Sequence, residues 1–340
     1  MNRRVAVVVP VYNAAESVRQ LVEACLAQDY PAACLELIFV DDGSIDGTGK
    51  LLSSYPVTLL SRPNGGPACA RNTGWRAARA EIIGFTTDRC LPGPDWVARL
   101  VDLFDAPKVG AVGGSYRLAN PASGLARCLQ GELEVRRGLL PARVQVLNSG
   151  NVAYRRTLLE ALGGFPEDCG PAADAMLAAA IVQRGYQLRL DPLLRVGHRW
   201  EENLGAYLQS QVRHGYFRSR AYWRMWEKEG RLGLLHSADD SGWLDLLHPH
   251  LTLVFLGLGI ASLRFSALQP WLLPAAVVTI GLLLPAAMVL AERRKPREAL
   301  WFVPVALLRS LCRGVGMSAG HLACWVEHRS KARQARRRRF

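Results

Sequence analysis

Three short stretches carry acids where a chain can put chemistry. "FVDDGSIDGT" (39–48) sets Asp41 and Asp42 at the end of an apolar run, before a glycine turn and a helix start that Ser44 or Asp46 can cap. An acid there can accept hydrogen bonds from a nucleoside base or from ribose hydroxyls. The same residues also suit a turn and a cap with no further duty. "FTTDRC" (85–90) puts Asp88 beside Arg89, between the strand-like "EIIGF" and the turn "LPGPDW". Asp88 is then a ligand-facing acid or a turn residue. Asp174 opens the helical stretch "DAMLAAAIVQRG", where an acid can cap the helix. His198 follows a strand-like stretch and suits either an acceptor-lining wall or a structural histidine.

These residues need elements to hold them. "VAVVVPV" (5–11) is a β-branched run of the kind that forms a buried strand. Residues 14–28 follow with Val18, Leu21, Val22, Cys25 and Leu26 at helical spacing. Strands are expected at 35–40, 57–60, 81–86 and 109–116, with helices near 46–54, 65–79 and 94–105. This alternation predicts an α/β fold with a doubly wound, mostly parallel sheet. Ligands bind such sheets beyond the carboxyl ends of the strands. Pro10, Val11, Tyr12, Asn13, Asp41, Asp42, Asp88 and Arg89 all fall on that edge. Further on, 174–185 reads as a helix and "YQLRLDP" as a strand.

Composition divides the chain. Half of the 340 residues are hydrophobic, enough for a large core, but charges nearly vanish between 246 and 290. The net charge is +13, and the last ten residues, "KARQARRRRF", hold six cations and no acid. Such a surplus seeks a polyanion. The cations flank apolar segments, which points to a membrane surface rather than to nucleic acid, for which no binding motif is present. Residues 265–291 are long enough to span a bilayer, and 247–263 are marginal. "ERRKPR" after them places that loop, and with it the N-terminal domain, on the cytoplasmic side of an inner membrane. The start of the chain lacks the pattern of a signal peptide, in agreement. Arg309, Arg313 and His321 interrupt the apolar run 299–326, which is expected to lie at the interface. The eight scattered cysteines form no CxxC pair and suit a reduced compartment.

"VPVYN" followed by "VDDGSIDGT", then "NGGPACARNTGWRAARAEIIGFTT", then "GNVAYRR" with "LGGFPED", closely resembles the block order of family 2 inverting glycosyltransferases. The resemblance covers roughly residues 5–200. It implies a GT-A fold with a nucleotide-sugar half (1–118) and an acceptor half (119–200). A basic, aromatic segment (201–245), a membrane hairpin (246–291), an interfacial or membrane helix (292–330) and a polybasic tail (331–340) would follow.

Carried over residue by residue, the resemblance assigns Pro10, Val11, Tyr12, Asn13, Asp41 and Asp42 to the nucleoside and Arg71 to the neighbourhood of the diphosphate. Asn151 falls in the acceptor-side block. The family's DxD metal pair would align with Thr87 and Arg89, so it is absent in that register, and Asp88 stands between. Three readings are open. Asp88 holds a divalent cation, Mg or Mn, alone or with Asp95 or water; Arg89 replaces the metal; or the domain has lost donor binding. The family's catalytic base aligns with Asp174, which would deprotonate an acceptor hydroxyl. "QSQVRHGYFR" (209–218) lacks the spacing of the QxxRW motif of processive synthases. The implied function is transfer of one sugar from a nucleoside diphosphate sugar to a membrane-associated lipid or glycan. The alternative is a non-catalytic membrane subunit that binds a nucleotide sugar or a partner enzyme.

Overall fold

The structure is a computed structural model that describes residues 3–138, 143–144, 146–229, 243–292 and 296–337. Residues 230–242 of the expected basic, aromatic segment and 338–340 of the tail lie outside the described residues. The chain forms two compact units, one from residues up to 122 and 137–200, the other from 123–136 and the chain beyond 200.

The first unit is built on β1 (Val5–Val11), β2 (Leu35–Asp41), β3 (Thr58–Ser61), β4 (Ile82–Phe85), β5 (Cys90–Leu91), β6 (Val109–Leu118), β7 (Arg143–Val144), β8 (Val152–Arg155) and β9 (Gln187–His198). They make one sheet in the order β3-β2-β1-β4-β8-β6-β9-β5, with β7 paired to β9. β1 is buried along its whole length, as a β-branched strand flanked by two others should be. β1 runs parallel to β2 and β4, and β2 to β3. Here the sheet departs from the expected mostly parallel plan. β8 lies antiparallel between β4 and β6, while β6 beyond it runs parallel to β9.

Three helices matter for the site: α1 (Val18–Leu26), α2 (Thr48–Leu52) and α3 (Pro67–Ala77) follow β1, β2 and β3. α3 packs on the sheet at Gly74, where an added β-carbon would overlap Val8 and crowd Val40. α4 (Trp96–Asp102) follows β5, and α5 (Gly124–Gly138) follows β6. α6 (Arg156–Leu162) and α7 (Ala173–Gln183) complete this region. Phe85, Tyr154 and Phe165 meet edge to face with centroids 5.1–5.9 Å apart, tying β4 and β8 to the segment before α7.

The second unit is helical. It takes most of α5, so the expected continuous 1–200 domain is interrupted there. Its other helices are α8 (Leu204–Glu229), α9 (Trp243–Ser262), α10 (Leu272–Gly281), α11 (Leu284–Glu292) and α12 (Pro296–Arg337). α8 and α12 approach closely because Gly215 meets the backbone of Arg313, Gly316 that of Val212, and Gly320 that of Tyr216. Small residues four apart are how helices pack where no water drives them together.

The apolar segments differ from expectation. Among the described residues, Leu300–Ser330 is the one helix long and apolar enough to cross a membrane, by length and composition. The expected span 265–291 is broken, its two halves bent by 44°. Pro285, at the start of α11, lacks the N–H that would continue the ladder. The arginines that argued for an interfacial 299–326 are satisfied inside the unit: Arg309 forms a buried ion pair with Glu132, and Arg313 donates to Gln211 at 2.8 Å. Paired charges no longer weigh against burial of the helix.

Candidate active site

The carboxyl ends of β1 and β2 are laced together by side chains. Ser44 Oγ accepts from the Asn13 amide at 2.9 Å, and Asn13 Oδ1 accepts from the Ile45 amide at 3.0 Å. Thr48 Oγ1 accepts from Ala14 N at 2.8 Å and Asp46 from Ala15 N at 2.9 Å. Asn13 holds a positive φ of 48°, which asparagine tolerates better than most side chains. Pro10 and Val11 are buried beneath this turn, while Tyr12 is 49% exposed. An exposed ring above a polar turn offers a stacking face to a planar base.

Asp41 and Asp42 diverge from this turn. Asp41 accepts the Ser44 amide at 2.9 Å, and its other oxygen lies against Gly49 on α2. Asp42 is buried and turned toward the loop before α3, where it pairs with Arg62 and accepts Gly65 N at 3.1 Å and Gly66 N at 2.7 Å. Asp42 is thus spent on shaping that loop, and Asp41 is the carboxylate of the pair nearer the β1 turn.

At the end of β4, Thr86 is buried and donates to Gly150 O at 3.2 Å. Asp88 is half-buried and Arg89 exposed. Burial raises the Asp88 pKa, and the Arg89 charge opposes that rise. Among the described residues no group of three or more His, Cys, Asp or Glu side chains could hold a metal ion. Asp95 is expected as a helper for Asp88, but it lies beside Gly93 and pairs with Arg99 at the start of α4.

His198 sits at the end of β9, opposite Cys90 of β5. Its ring packs on Tyr116 and Trp200, with centroids 5.0 and 4.5 Å away, and its Nδ1 is buried without a hydrogen-bond partner. Burial, then the Arg89 charge, lowers its pKa to about 4, so it is neutral near pH 7.

Asp174 lies in the first turn of α7 but caps nothing; its carboxylate turns away from its own helix. Oδ2 accepts Ser149 N at 3.1 Å and Ser149 Oγ at 2.8 Å, and Oδ1 faces Arg71 at 3.3 Å. Arg71 is buried on α3, its guanidinium 5.3 Å from the Phe165 ring centre, and its Nε has no hydrogen-bond partner. Arg71, expected near a diphosphate, is therefore joined to the expected base. Ser149 went unnoticed in the sequence, because "LNSGN" carries no periodic signal.

Asn151, expected on the acceptor side, lies just before β8. It is 1% exposed; its amide donates to Ser115 O and Leu194 O, and its carbonyl accepts Trp96 Nε1 at 2.8 Å. These hydrogen bonds tie the start of β8 to β6 and β9.

The glycosyl transferase family 2 profile matches residues 6–163, the span that holds the β1, β2 and β4 loops. The matched stretch, a little under half of the chain, resembles glycosyl transferase family 2. Among curated relatives, glycosyltransferase AglE of Haloferax volcanii is 27% identical over 62% of this chain and 71% of its own length. The pre-mycofactocin glycosyltransferase of Mycobacterium tuberculosis is 27% identical over 63% of this chain, which spans only 46% of that longer protein. Among solved structures, mannosyltransferase PcManGT of Pyrobaculum calidifontis, in complex with GDP-Man and Mn2+, superposes with a TM-score of 0.63 at 24% identity. That match covers 93% of this chain and 87% of the other. The fold of this glycosyltransferase is thus of the GT-A type.

Proposed function

We propose that this glycosyltransferase moves one sugar from a nucleoside diphosphate sugar to a membrane-associated lipid or glycan acceptor, with inversion at the anomeric carbon. The observation that carries the reading is the gathering, in one unit, of an interlaced β1–β2 turn, the Asp88–Arg89 loop and the tethered Asp174 carboxylate. The nucleoside lies on the turn, with Tyr12 beneath the base and Asp41 toward the ribose. The diphosphate lies toward Arg89. Asp174 takes the proton of the acceptor hydroxyl as its oxygen attacks the anomeric carbon from the face opposite the diphosphate. The bond between that carbon and the phosphate oxygen breaks, and Arg89 meets the charge that develops on the leaving group.

A divalent cation is the second reading, supported by the Mn2+ beside GDP-Man in the Pyrobaculum relative and by Asp88 at the strand end. It would arrive with the donor phosphates, with Asp88 as its one protein carboxylate. The apolar helix Leu300–Ser330 and the basic helical end after it support a membrane anchor, with the catalytic unit on the cytoplasmic face.

A thermal-shift series with GDP, UDP, dTDP and CDP, with and without Mn2+, tests the donor site. One nucleoside diphosphate should raise the melting temperature, because a ligand of the native state stabilises by mass action. EDTA-insensitive turnover supports Arg89 in place of a metal, and EDTA-sensitive turnover supports the cation. Stabilisation by none of the four, with no donor turnover, overturns the proposal in favour of a non-catalytic subunit.

A further inference from the structure

Asp174 lies 19% exposed at the mouth of α7, yet three donors from two other elements hold its carboxylate. Two of the three belong to Ser149, whose amide and hydroxyl converge on the same oxygen. Ser149 is 4% exposed in the segment between β7 and β8 and has little freedom to turn elsewhere. Its neighbour Gly150 is held against Tyr116 and Cys90, so close that an added β-carbon would press on both. Asn151, the next residue, is pinned by its side-chain hydrogen bonds into β6 and β9. Ser149 is therefore a fixed point in the core, and Asp174 is aimed by it. The other oxygen faces Arg71, itself laid over Phe165. A base working on an acceptor hydroxyl must be held within a fraction of an ångström of one position, and packing of this kind does so.

We propose that Ser149 is a positioning residue for the catalytic base. It fixes one oxygen of Asp174 through its hydroxyl and so presents the carboxylate in the rotamer that receives the acceptor proton. This rests on the reading of Asp174 as base. A merely structural role makes a different prediction. If the Ser149–Asp174 contact serves only to tie α7 to the sheet, its loss lowers thermal stability and leaves the chemistry of the folded enzyme alone.

The test uses the full-length protein in detergent and nucleoside diphosphate release from a panel of GDP-, UDP- and dTDP-hexoses, with Ser149→Ala, the nearly isosteric Ser149→Cys and Asp174→Asn. Ser149→Ala should lower kcat by roughly 10- to 100-fold, the weight of one hydrogen bond to a charged group, with donor KM within about twofold of wild type. Ser149→Cys, with a weaker donor, should fall between. Bound nucleoside diphosphate should stabilise wild type and variants alike, which reports a folded donor site. If Asp174→Asn abolishes release while both Ser149 variants keep wild-type kcat, the positioning role is overturned and the base reading stands. If Asp174→Asn retains wild-type release, or wild type releases nothing from any donor, the base reading falls and this inference with it.

Discussion

Asp174 and His198 show how burial assigns opposite duties to two polar side chains of one unit. Asp174 keeps donors on both oxygens and remains at the surface of its helix. His198 has lost water at Nδ1 and gained no partner, so its protonated form is penalised. The sign follows. Its folded pKa of about 4 lies below the ordinary value of 6.5, so between those limits the unfolded chain binds the extra proton. This group's contribution is complete above about pH 6.5 and is lost as pH falls toward 4, an interval worth about 3 kcal/mol at about 1.4 kcal/mol per pH unit. Urea denaturation at pH 4.5 and pH 7 should show a smaller acid loss in His198→Gln than in wild type. Equal losses would mean that His198 is not the titrating group. The sequence left this histidine between an acceptor-lining and a structural role. Its aromatic neighbours Tyr116 and Trp200 come from other parts of the chain, so the burial could not be read locally. The positions of Asp41 and Asp174, at a strand end and in a first helical turn, could be read locally. The orientation of Asp42 and the contacts of Ser149 depend on partners 20 or more residues away.

Elements were easier to read where their signal was local. β1 and β2 follow from β-branched runs, and their observed starts agree with the expected ones. α1 was expected from residue 14 but begins at Val18, because the amides of Asn13, Ala14 and Ala15 go to Ser44, Thr48 and Asp46 instead of a helix. That exchange is what makes the turn a candidate nucleoside site. The antiparallel insertion of β8 could not be seen, since a four-residue strand does not announce its direction. The seating of α3 on β1 is also non-local, and it gives a direct test. Gly74→Val should destabilise the protein by about 1–3 kcal/mol through overlap with Val8 and Val40. It should also weaken nucleoside diphosphate binding, since α3 carries the loop that Asp42 shapes. An unchanged melting temperature would contradict this packing.

At the scale of the whole molecule, charge and apolar patterning differ between the two units. The first reads as a water-facing α/β domain. The second buries Glu132 against Arg309, joins α8 to α12 through glycines, and carries Leu300–Ser330 within α12, whose last described turns are basic. The same arginines that made 299–326 look interfacial in sequence turn out to be paired, and pairing is invisible until the fold brings α5 to α12. The account as a whole stands on the first unit being a working transferase whose proton acceptor is Asp174. One measurement tests it most directly: nucleoside diphosphate release from the donor that binds, compared between wild type and Asp174→Asn at matched donor-site occupancy. The account predicts steady release by wild type and a loss of about 100-fold or more in Asp174→Asn, with nucleoside diphosphate affinity unchanged. Release by Asp174→Asn at the wild-type rate would contradict it.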